Sequence, residues 1–146
     1  MMTFRSAVTL LWIAVFLVMV SGADFKALIV DGQNNHGVWP KTTAMMAKYL
    51  QDTGRFSVFV ARTRFTWQGD QLLKQYAVPG VTTTARPRPQ PDPEFRPKFS
   101  DYDVVISNFG NAAAAWPQAT QRDFETYMRK GGGLVVVHAA DNSFGD

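Results

Sequence analysis

Cysteine is absent from all 146 residues. That absence excludes a disulfide framework, a thiolate-held metal and a thiol nucleophile together. Histidine is nearly absent: only His36 and His138 occur, so any imidazole chemistry must use one or both. Charge is scarce as well, with 18% charged residues and a formal net charge of +3. No Lys/Arg cluster or basic stripe accompanies that small excess, which argues against a nucleic-acid partner. What is present is apolar: 46% hydrophobic and 13% aromatic residues exclude a disordered polyampholyte and suit one folded domain.

One long apolar run stands apart. Arg5 is the only charge among residues 1–23, and Ala7 to Val20 are apolar except for Thr9. As a helix this run spans roughly 21 Å, short of the ~30 Å hydrocarbon core of a bilayer. Ser21-Gly22-Ala23 places small residues where a signal peptidase cuts. Residues 1–23 therefore read as a secretory signal, with an uncleaved membrane anchor as the alternative. The expectation is an exported protein, periplasmic or extracellular, with no membrane association once the leader is removed. With no Cys, residues 24–146 are indifferent to the redox state of the compartment.

Four short runs carry strand character: Lys26–Asp31, Ser57–Ala61, Tyr102–Ser107 and Gly133–His138. They are β-branched and continuously apolar rather than alternating. That predicts strands buried on both faces, hence a parallel sheet covered by helices. A helix is predicted over Pro40–Thr53, with Met46, Tyr49 and Leu50 on one stripe, and another over Pro117–Lys130, with Phe124, Tyr127 and Met128. Both begin with proline, and Gly54 and Gly131 suit their ends. Gly131–Gly133 precedes a strand, whereas a phosphate loop follows one, so it reads as a helix stop and turn. The alternation implies an α/β three-layer sandwich with a mostly parallel, flavodoxin-like sheet, first and third strands side by side. Between the second and third strands, residues 62–100 form a Pro-rich insertion holding Pro87, Pro89, Pro91, Pro93 and Pro97. Within it Asp70 to Tyr76 suits a short helix. The insertion is either a lid over the site or a solvated excursion packed by its own aromatics.

In open α/β sheets ligands bind beyond the carboxyl ends of the strands. Three segments leave those ends: Gly32 to Trp39, Asn108 to Trp116, and His138 to Phe144. They contain both histidines, with Gln33, Asn35, Trp39, Asn108, Asp141 and Asn142 around them. Amides and aromatic faces with few charges suit a neutral polyhydroxylated ligand such as a sugar. His138 and His36 are the candidate proton-handling residues, and the amides would orient hydroxyls. Each has a plainer reading: a turn histidine, a capping Asp141 or Asn142, or Trp39 and Trp116 as helix staples. A divalent cation held by the two histidines and Asp141 is a further candidate that spacing alone does not select.

Three segments, KALIVDGQNNHGVW (26–39), YDVVISNFGN (102–111) and YMRKGGGLVVVHAADNSF (127–144), resemble the ThuA-like, or trehalose-utilisation, family. The resemblance extends over nearly all of residues 25–146 and is most specific in the third segment. It implies a fold similar to class I glutamine amidotransferases. Those enzymes carry a nucleophilic Cys at the elbow after the strand that ends here near His138, so the missing cysteine excludes thiol-based glutaminase chemistry. The resemblance implies instead a role around trehalose-type disaccharides and their oxidised keto derivatives, with His36 and His138 at motif positions. ThuA-like domains continue beyond this His motif, so residues 24–146 are expected to be the N-terminal portion of such a domain, incomplete at the C-terminus and with an exposed sheet edge. A non-catalytic carbohydrate-binding or structural module of a larger secreted protein is the alternative.

Overall fold

A computed structural model describes residues 22–144. The signal-peptide reading of residues 1–23 lies almost wholly outside them. Among the described residues no helix is long and apolar enough to cross a membrane.

Five strands form one parallel sheet: β1 (Phe25–Gln33), β2 (Phe56–Trp67), β3 (Thr84–Arg86), β4 (Val104–Ser107) and β5 (Gly133–Val136). Their order across the sheet is β3-β2-β1-β4-β5, so the expected juxtaposition of the first and third apolar runs holds, as β1 beside β4. The flavodoxin-like α/β sandwich is therefore the observed fold. Helix α1 (Trp39–Asp52) covers one face, where Met46, Ala47 and Leu50 pack against Ala27, Ile29 and Ile106. Helix α3 (Gln118–Arg129) lies on the other, with Phe124 and Tyr127 against a core of Leu28, Val30, Val105, Phe95, Phe99 and Trp116. The single-turn helix α2 (Asp70–Leu73) opens the predicted short helix in the insertion.

Several expectations need correction. Tyr49 is 60% exposed and Met128 36% exposed, so the two helical stripes rotate away from them. On α1 the inward line runs through buried Thr43 and half-buried Ala47 and Leu50, about one turn apart each. Strand β2 runs on to Trp67, well into the segment read as an insertion, and Thr84–Arg86 adds the unforeseen β3. The end of that segment is core: Phe95 and Phe99 are 5% and 1% exposed, and the Thr120 hydroxyl on α3 donates to the Phe95 carbonyl at 2.6 Å. The last apolar run is the larger departure. Strand β5 stops at Val136, and Leu134, Val135 and Val136 are 39%, 47% and 43% exposed rather than buried on both faces. It pairs only with β4 and forms the sheet edge, where the described residues cover little of either face.

The glycine turn before β5 behaves as read. Gly131 takes φ +87°, the left-handed conformation that ends a helix, and its N–H donates to the Met128 carbonyl at 3.0 Å. A Cβ on Gly132 would enter the Tyr127 ring, so the turn packs flat beneath it.

Candidate functional site

The site begins with a buried ion pair at the centre of the sheet. Asp31 on β1 accepts from Arg62 on β2 through Nε and Nη2, both at 2.8 Å, and from the Thr43 hydroxyl at 2.7 Å. Burial pushes the Asp31 carboxyl up from its ordinary range, and Arg62 and Thr43 pull against that shift. The Arg62 guanidinium also lies 4.7 Å over the Trp39 ring. A like arrangement of donors continues outward: the Asn108 amide donates to Thr43 Oγ1 at 2.9 Å and to the Trp39 carbonyl at 3.2 Å. The ends of β1, β2, β4 and α1 are thus held in one polar network.

Past Asp31 the pairing of β1 with β2 shifts register before Gln33. Gly32 has φ +133°, and a Cβ there would collide with Thr63 Oγ1, so only glycine fits. Gln33 is then fully engaged. Its amide N–H groups donate to the carbonyls of Phe65 and Gln90 at 3.1 and 2.7 Å, and its Oε1 accepts from Ala114 N–H at 3.1 Å. Asn34 crosses the end of β4: its amide donates to the carbonyls of Asn108 and Phe109 at 3.1 Å each, and its Oδ1 accepts from His36 N–H at 2.8 Å. Gly110 makes the crossing passable, because a Cβ there would lie 2.5 Å from Asn35 Oδ1 and 2.6 Å from Asn34 Oδ1.

This crossing delivers His36 to His138. Their rings stack with centroids 4.7 Å apart and 28° between planes. His138 opens the 3-10 turn His138–Asn142 after β5 and takes φ +50°, a conformation uncommon for a residue with a side chain. Such a residue stores roughly 1–3 kcal/mol of strain and is found where a side chain must be presented at a strand end. Both imidazoles are exposed, and among the described residues neither ring makes a hydrogen bond. Asn35, Asp141 and Asn142 are exposed nearby in the same loops, Asn142 donating to Asp141 Oδ1 at 3.0 Å.

The candidate residues therefore divide. His36 and His138 are brought together and open to solvent, and Asn35, Asp141 and Asn142 are exposed in their loops. Gln33, Asn108 and Trp39 are 1%, 3% and 1% exposed, and their polar groups are spent inside the protein. The Trp39 indole N–H donates to the carbonyls of Trp67 and Gln68 at 3.1 Å each. These three brace the loops from within the protein. Asn34 is the residue that sequence reasoning passed over. Its neighbours drew attention as hydroxyl-binding amides, and only the tertiary crossing shows its own amide as the clamp. Among the described residues no group of three or more His, Asp or Glu is placed to hold a metal ion.

A separate cavity of about 390 Å³ lies beneath the His138 turn on the α3 side, with Trp116, Phe124, Leu134 and Val136 in its walls. Neither histidine lines it.

No family model matches this chain. No curated protein and no solved structure matches it either.

Proposed function

We propose that this chain is an exported ThuA-like protein of carbohydrate metabolism, acting on or holding a trehalose-type disaccharide or its keto derivative. The observation that carries the reading is the stacking of the chain's only two histidines at the carboxyl ends of β1 and β5, where ligands of such sheets bind. An imidazole can take or give a proton near neutral pH, so the pair suits proton transfer at a sugar hydroxyl or carbonyl. The exposed amides of Asn35 and Asn142 suit orientation of hydroxyl groups. The position of His138 at a strained elbow, in a chain without cysteine, is consistent with acid–base work and not with thiol chemistry.

A second reading is binding without turnover. It is favoured by one observation: among the described residues no carboxylate or carbonyl hydrogen-bonds to either ring, so nothing orients an imidazole as a general base requires. Titration calorimetry with trehalose and a keto derivative of it, alongside an assay for consumption of the keto sugar, separates the two. Turnover lost in His138→Ala with the fold retained supports the enzyme. Binding that survives His138→Ala without turnover supports the binding module. Absence of binding to both sugars contradicts the carbohydrate reading altogether.

A further inference from the structure

The paired ends of β2 and β3 carry an electrostatic arrangement that the histidine site does not use. The guanidinium carbons of Arg64 and Arg86 lie 4.7 and 4.5 Å from the centroid of the same ring, Phe65. The two like charges are thereby held closer than the ~10 Å over which 0.1 M salt screens exposed charges. Arg88 follows two residues later. Among the described residues two carboxylates bond to Arg64. Glu94 meets Arg64 Nη1 at 3.2 Å with its side chain 75% exposed, and Asp92 is buried and accepts the backbone N–H groups of Arg64 and Glu94 at 2.6 and 3.1 Å. Among the described residues Arg86 and Arg88 have no ion pair, whereas Arg55, Arg62, Arg96 and Arg129 each have one. The Nε–H groups of Arg64 and Arg86 are also buried without an acceptor.

The segment is also pre-set. Arg86, Pro87, Arg88, Pro89, Gln90 and Pro91 line one concavity, and alternate prolines restrict φ along it. The Gln33 amide ties the Gln90 carbonyl to the end of β1 at 2.7 Å. Little backbone freedom is left to lose on binding along this segment, and the Phe65 ring holds the Arg86 guanidinium, which favours affinity. We propose that Arg86 and Arg88, with Arg64 beside them, form a subsite for an oxyanion group: a sulfate, a phosphate or a carboxylate. Guanidinium forks match such groups with charge-assisted hydrogen bonds. The subsite stands independently of the carbohydrate reading, since an inorganic anion suffices to detect it.

The test is an NMR titration of the full chain in low salt, following the arginine Nε–H signals. Sodium sulfate is compared with sodium chloride at equal ionic strength, and glucose 6-phosphate with glucose. Saturable shifts of the Arg64 and Arg86 signals by sulfate, absent with chloride, are expected. Arg86→Gln/Arg88→Gln should weaken them by ~10-fold or more. Arg122→Gln, an exposed arginine on α3 also without an ion pair, should leave them unchanged. Equal response to sulfate and glucose 6-phosphate supports a subsite for the anion alone, and a tighter response to the sugar phosphate supports one that reads an anionic sugar. Arg88→Gln alone serves if the double variant loses its circular-dichroism signature, and it should still weaken binding. Unsaturable shifts, shifts shared with chloride, or equal loss in Arg122→Gln would overturn the proposal.

Discussion

Strands β1 and β5 look alike in sequence and differ in the fold. Both are continuous apolar runs ending in a polar residue at the site: ALIVD in one, GLVVVH in the other. In β1, Ala27, Leu28, Ile29 and Val30 are 0–2% exposed, flanked by β2 and β4 and covered on both faces. In β5, Leu134, Val135 and Val136 are 39–47% exposed, paired on one side only. The apolar run is thus a statement about burial on both faces, and position in the sheet decides whether the described residues supply it. The same contrast divides the histidines. His36 rests on a loop braced by the Asn34 amide, whereas His138 stands at the end of the least covered strand.

The contrast can be broken or sharpened by substitution, with stability read from urea unfolding. The largest effect is expected near the carboxyl end of β1. Asp31→Ala leaves the Arg62 guanidinium, 2% exposed, without its partner, at a cost of about 3–5 kcal/mol. Leu28→Ala opens a cavity in the α3-side core and should cost roughly 3 kcal/mol. Gly110→Ala drives a methyl group into Asn34 and Asn35. It should cost about 1–3 kcal/mol and displace His36, removing the ring contact to His138 from NMR cross-peaks. The smallest effect is expected on β5, where Val135→Thr should change stability by no more than about 0.5 kcal/mol. If Val135→Thr costs as much as Leu28→Ala, β5 is covered in solution and the contrast fails.

Much of this arrangement was legible in the chain. The four apolar runs, the prolines opening both helices and the triple glycine were enough for a parallel α/β sandwich, because each is a local rule about backbone geometry and burial. The neighbouring of His36 and His138 followed from topology, since strand order sets which loops share an end of the sheet. What was illegible depended on contacts between distant segments. Nothing local distinguishes Asn34, whose amide bridges to Asn108 and Phe109, from Asn35, which is exposed. Nor does composition show that Gln33 and Trp39 spend their polar groups on the carbonyls of Gln90 and Trp67. The short β3 was hidden because Thr84–Arg86 lies among prolines and pairs only with the tail of β2.

The central claim is that the two histidines form one ligand site. A titration of the full chain with trehalose, following the ring-proton NMR signals of His36 and His138, tests it most directly because no other histidine contributes. A cross-peak between the two rings and saturable shifts of both with a single dissociation constant are expected. No cross-peak, or rings that ignore trehalose and its keto derivative alike, would contradict it.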